Sequence, residues 1–155
     1  MTYEEAIKVI PAGHYRHFKG NYYKVLSIVR HSETGEPMVL YQALYDNGSL
    51  WVRPADMWNE AVERDGFSCP RFQPLTREER ISFYEKIFDE LLQLESAEYL
   101  TGDLEAKSHL LEDYYTSGEW LEDYEADEAG LLPADLKRGV LSQDSVYDLM
   151  ERLEL

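Results

Sequence analysis

Cysteine is almost missing from this 155-residue chain: Cys69 stands alone and cannot form an intrachain disulfide. That fits a reducing compartment. No window approaches 18 consecutive apolar residues, so no membrane-spanning helix is expected. The opening residues, Met1-Thr-Tyr-Glu-Glu-Ala, lack the basic start and apolar run of a signal peptide. The reading is a soluble cytoplasmic protein with no membrane partner. The nine glycines are dispersed through turns, so there is no glycine-rich phosphate loop. No nucleophilic triad is visible, and no cofactor or metal is expected.

Acid is missing from residues 6–32, and base is scarce after residue 75. Residues 1–75 hold 8 bases and 9 acids, whereas residues 76–155 hold 7 bases and 22 acids, which together give the net charge of -16. So sharp a change in balance argues for two units, 1–75 and 76–155. The acidic unit opposes nucleic acid and anionic membranes. Apolar residues make up 44% and aromatic residues 13% of the chain, enough to pack a core.

Residues 2–9 read as a short helix, with Thr2 and Glu5 at capping-box spacing and Pro11 and Gly13 as its stop. Four strand-like runs follow, at about 14–18, 22–31, 38–45 and 50–53. Turns at Lys19-Gly20-Asn21, Glu33–Pro37 and Asp46–Ser49 separate them. Asn47-Gly48 suits a tight type I′ hairpin. The spacing predicts a small antiparallel barrel or a strongly curved sheet. Residues 65–75 read as a last short strand or an irregular connection, with Cys69 buried among aromatics.

At Thr76 the period changes. Thr76 and Glu79 form a capping box, and Ile81, Tyr84, Phe88 and Leu91 follow at helical spacing. A helical hairpin broken at Gly102 is the first choice over one continuous helix. Further helices are expected at 119–128, for one turn after Pro133 as far as Gly139, and after Ser142. Contact between the two units is expected, with Phe67, Phe72 and the apolar stripe of the helix from residue 77 as its candidates.

The words Gly13-His-Tyr-Arg-His-Phe-Lys-Gly, His31-Ser-Glu-Thr-Gly-Glu, Leu44-Tyr and Leu50-Trp-Val-Arg-Pro occur in an order that resembles the bacterial family Domain of Unknown Function 1653. The resemblance covers roughly residues 11–75 and implies an SH3-like barrel. Asp113-Tyr-Tyr, Glu119-Trp-Leu-Glu-Asp-Tyr-Glu-Ala-Asp-Glu-Ala-Gly and Leu132-Pro-Ala-Asp-Leu-Lys-Arg-Gly-Val-Leu-Ser resemble a second family, Domain of Unknown Function 4298, over roughly 80–155. Neither resemblance implies an activity. The fold class is therefore α+β, an SH3-like antiparallel barrel followed by an acidic helical unit.

Four constellations carry chemistry. Lys8, Arg16, Lys19, Lys24 and Arg30 alternate with Tyr15, Phe18, Tyr22 and Tyr23, a pattern that suits single-stranded nucleic acid. The first reading is nevertheless an ordinary solvated strand face with its aromatics filling a small core, and a third is a surface that docks on the acidic unit. His14 and His17 would share a face on a helix, but on a strand they point apart, so a metal pair is not expected. Tyr41, Tyr45, Trp51, Arg53 and Trp58 would line an aromatic groove if their faces coincide, and would otherwise fill a core. Glu119, Glu122, Asp123, Glu125, Asp127 and Glu128 read first as a solvated acidic face, and next as a surface for a basic protein partner.

The preferred function is a non-enzymatic binding or adaptor protein, with His14, Arg16, Tyr23, Tyr41, Trp51 and Arg53 as the ligand surface and no catalytic residues. The alternative is a small-ligand protein or enzyme with a His–Arg–Tyr pocket at the barrel rim. Convergence of His14 and Arg53 in a deep cleft would favour the alternative.

Overall fold

A computed structural model describes all 155 residues. The chain divides into Met1–Leu75 and Thr76–Leu155. No helix is long and apolar enough to cross a membrane.

The first unit begins with α1 (Tyr3–Val9). The side chains of Thr2 and Glu5 each accept from the other's backbone N–H, completing the capping box. Strands β1 (Gly13–His17), β2 (Tyr22–Arg30), β3 (Pro37–Ala43) and β4 (Leu50–Pro54) pair in succession, all antiparallel. A one-turn helix, α2 (Ala55–Trp58), and a two-stranded hairpin, β5 (Ala61–Arg64) and β6 (Phe67–Pro70), lead to β7 (Phe72–Pro74), which returns to β1. The five-stranded order is β4-β3-β2-β1-β7.

No ladder joins β4 to β7, so the barrel expected from the strand spacing is not closed. Side chains bridge its two edges instead. Trp58 lies face to face on Phe72 (ring centroids 3.6 Å, 2° between planes) and meets Tyr41 and Tyr15 edge-on at 4.9 and 5.4 Å. Ile10, Val25, Ile28 and Val39 complete this core. The sequence pattern did not disclose α2. Pro54 ends the strand as expected, and the helical turn that begins at once after it carries Trp58 inward.

The turns differ from expectation in an instructive way. Asn47-Gly48 does not make the tight hairpin. β3 stops at Ala43 and β4 starts at Leu50, and the loop puts positive φ at Asp46 and Gly48. The turn with two successive positive φ values is Asp65-Gly66, between β5 and β6. Cys69, on β6, is half-exposed rather than buried. Phe72 lies within this unit's own core, and Phe67 is largely exposed.

The second unit has four helices: α3 (Arg77–Leu92), α4 (Asp103–Tyr115), α5 (Gly118–Glu128) and α6 (Gln143–Arg152). Thr76 with Glu79 caps α3, and Ser142 caps α6. Ile81, Tyr84, Phe88 and Leu91 are buried, as their spacing predicts. Gly102 at φ +55 separates α4 from α3, which excludes one continuous helix. The turn expected between Pro133 and Gly139 forms later, as a 3-10 turn at Gly139–Leu141. The Glu85 carboxylate accepts from the N–H groups of Gly139 (2.6 Å) and Val140 (3.2 Å) and fixes that turn. A Cβ on Gly139 would sit 3.2 Å from Glu85 Oε1 and 3.3 Å from the Phe88 ring, so a larger residue there would crowd the carboxylate that holds the turn.

Candidate binding surface

Strand register sorts the candidate residues into two faces, because residues paired across a ladder share a face and neighbours along a strand do not. The inner face carries Tyr15 opposite Tyr23, Val25 opposite Tyr41, Tyr41 opposite Trp51, and Val39 opposite Arg53. His17 lies opposite Phe72 on the same face. The outer face carries His14 opposite Lys24 and Arg16 opposite Tyr22. Tyr23, Tyr41, Trp51 and Arg53 are therefore brought together, whereas His14 and Arg16 lie on the opposite side. His14 is buried, and its carbonyl accepts from Leu75 N–H at 3.0 Å. Arg16 is half-buried.

Within the inner set the environments differ. Tyr41 belongs to the core. Tyr23 is half-buried, and its hydroxyl lies 2.9 Å from that of Tyr45. Burial first, and then the bond to Tyr45, pushes the Tyr23 hydroxyl up to about 12. Trp51 is 55% exposed, and its indole N–H donates to Ser49 Oγ at 2.9 Å. It is a surface residue, because β4 is an edge strand. The Arg53 guanidinium stands 5.7 Å from the centre of the Phe72 ring.

Sequence reasoning missed His17 as a member of this surface. Its ring contacts Phe18 at 4.5 Å and Phe72 at 5.0 Å. Burial lowers its pKa, and the charges of Arg71, Arg53 and Lys19 lower it further. The signal was in the alternation: if Tyr15 and Tyr23 face the core, His17 must as well and His14 cannot. Arg71 pairs with Glu60 at 3.4 Å, while its Nε is buried without a partner. Lys19 and Arg64 flank the Phe18 ring at 5.8 and 5.9 Å. The result is a row of rings bordered by cations, suited to an anion carried on an apolar body.

The acidic candidates form a different kind of site. Asp123 is fully buried and takes two hydrogen bonds from Arg80, one from the Tyr114 hydroxyl (2.6 Å) and an ion pair from Arg77 (3.5 Å). Glu119 pairs with Arg80 at 3.1 Å, and Asp127 with Arg138 at 3.0 Å. Burial works against the Arg80 charge, but the bonds to Asp123 and the charges of Asp123 and Glu119 outweigh it and raise its pKa. Burial also raises the Tyr114 hydroxyl, and its bond to Asp123 adds to the shift. Glu119, Asp123 and Asp127 lie four residues apart on one helix face. The solvated acidic face expected here is therefore only half present: Glu122, Glu125 and Glu128 are exposed, and the other three are internal partners.

Comparison with known proteins adds family and no chemistry. The profile described as "Protein of unknown function (DUF1653)" matches residues 13–74, and the one described as "Domain of unknown function (DUF4298)" matches 80–154. These are the two segments from which the resemblances were read. A crystal structure of a DUF1653 protein from Bordetella bronchiseptica is 34% identical, covering 44% of this chain and 91% of that one, with a TM-score of 0.42. No curated protein matches.

Proposed function

Because the chain belongs to the DUF1653 family through residues 13–74, with a DUF4298 segment following, and neither description names an activity, we propose a function from the surface itself: a non-enzymatic binding module. Its ligand surface is the inner face of the curved sheet at its β4 edge. The observation that carries this reading is the exposure of Trp51 beside Arg53, which meets an aromatic ring and no carboxylate. A tryptophan left outside a core that already holds Trp58, Tyr41 and Phe72 is available for a partner.

The scaffold is of SH3 type. The order β4-β3-β2-β1-β7, with a helical turn before the last strand, supports that reading. Residues 1–75 and 76–155 are two domains, and the lone Cys69 suits the cytoplasm. The enzymatic alternative loses its main support, since His14 and Arg53 occupy opposite faces and do not converge.

The test is an NMR titration of the full chain with acetyl-Tyr-Glu-amide, a carboxylate on an aromatic body. The expected result is movement of the Trp51 indole and His17 ring signals, abolished by Arg53→Ala, with the probe recovered unchanged. Movement confined to the outer face, or chemical conversion of the probe, would overturn the reading.

A further inference from the structure

Edge strands in natural sheets usually carry charge, because their unpaired backbone groups would otherwise recruit another strand. β4 does the opposite. Leu50, Trp51 and Val52 are consecutive and exposed by 59, 55 and 56%. The one charged residue of the strand is Arg53.

The backbone register shows which groups are free. Leu44 N–H donates to the Tyr22 carbonyl (3.0 Å), and Ala43 N–H donates to the Ser49 carbonyl (2.9 Å). In an antiparallel ladder the bonded pairs recur every second residue. Tyr41 with Trp51 and Val39 with Arg53 are thus the bonded pairs, and the N–H and C=O groups of Leu50 and Val52 turn away from β3. Pro54 falls in the same outward set, where its missing N–H costs the ladder nothing. Side chains sort the other way: Leu50 and Val52 to the outer face, Trp51 and Arg53 to the inner.

We propose that β4 receives an extended segment of a partner protein as an added strand, with the alternation apolar–acidic–apolar. Apolar side chains of the segment lie beside Leu50 and Val52 on the outer face. The carboxylate between them lies on the inner face, where Trp51 and Arg53 await it. This rests on the binding-module reading and adds the backbone edge to it.

Charge selects the occupant. Arg53 contacts the Phe72 ring and forms no ion pair, and His17 beside it feels the charges of Arg71, Arg53 and Lys19. Of these cations Arg71 alone has a carboxylate, Glu60. A second copy of β4 would bring no acid to this place, since the strand contains none. Nucleic acid fits less well, because register places His14, Arg16 and Lys24 on the outer face, away from Arg53, and leaves no continuous basic track.

The experiment uses the full-length chain and an acetylated, amidated octapeptide of alternating Val and Glu, read by amide shifts and hydrogen exchange. Binding is expected to shift the Leu50 and Val52 amides and slow their exchange by at least about tenfold, the scale of one added hydrogen bond. The same peptide N-methylated along its pairing edge, and Val52→Lys with the unmodified peptide, should each weaken binding by about the same factor. An alternating Val and Lys peptide should not bind. Equal affinity of the N-methylated peptide overturns the added strand. So does movement of Trp51 and Arg53 signals with unchanged exchange at Leu50 and Val52, although the surface reading then stands. Silence across the whole inner face sinks both. Protection of β4 by self-association at rising protein concentration, or displacement of the peptide by oligothymidylate, also overturns the proposal in favour of a second copy or nucleic acid.

Discussion

The two units are nearly equal in length and use charge in opposite ways. In Met1–Leu75 the interior is aromatic and aliphatic, and cations stand against its rings, Lys19 and Arg64 at half-buried Phe18 and Arg53 at the edge of the core ring Phe72. In Thr76–Leu155 carboxylates are drawn inside. Asp123 is fully buried among Arg77, Arg80 and Tyr114, and Glu85 holds a backbone turn. Charge per segment is thus a poor measure of free charge. The nearly neutral unit offers the unpaired cation, and the strongly acidic one conceals several of its acids.

The contrast is best broken at its most buried points. Asp123→Ala removes the buried carboxylate that takes two of Arg80's hydrogen bonds, leaving that half-buried cation only Glu119, and should cost about 3–5 kcal/mol in urea unfolding. A loss below about 1 kcal/mol would show that the network behaves like surface ion pairs. Trp58→Ala tests the other interior. Removing the ring that spans the sheet edges should also cost about 3–5 kcal/mol, and should broaden the Tyr41 and Phe72 signals.

Tyr114→Phe takes only the hydroxyl from Asp123 and should cost about 1–2 kcal/mol, with the Tyr84 stack at 3.9 Å preserved. Acidification probes the sheet unit. The folded-state pKa of His17 lies below 6.5, so the unfolded chain takes up the proton first. The His17 contribution to stability is therefore complete above pH 6.5 and declines as pH falls from there toward the folded pKa. A urea midpoint that falls more over this range in the native chain than in His17→Asn would show it; equal declines would place the titration elsewhere. Trp51→Ala should change stability by less than about 0.5 kcal/mol, although it removes as large a ring as Trp58→Ala.

The local signals in the sequence were the legible ones. Thr2 with Glu5, Thr76 with Glu79, and Ser142 marked helix starts correctly, because a cap is decided within one turn of chain. Strand positions followed from Tyr, Val and Ile runs between turns. What failed needed partners distant in sequence. Asp123 could not be told from Glu122 until Arg80, 43 residues away, was placed against it. Whether Trp58 lined a groove or filled the core stayed open, because Phe72, its stacking partner, lies on a strand that the pattern left unresolved. Asn47-Gly48 was the stronger turn signal by composition and yielded to a wider loop, whereas Asp65-Gly66 took the tight turn. For the surface, residue types were legible and faces were not. His14 was chosen and His17 passed over, and one step along a strand decides between the two sides of a sheet.

The three tryptophans give this molecule its own set of optical reporters. Trp58 is sandwiched in the sheet unit's core, Trp120 is buried with its indole N–H bound to the Val140 carbonyl at 3.0 Å, and Trp51 stands in solvent. Iodide should quench the emission of Trp51 and spare the other two. A blue shift of the quenchable component would then register occupation of the β4 edge without any label. Loss of the shielded component would follow unfolding, with Trp58 speaking for one unit and Trp120 for the other.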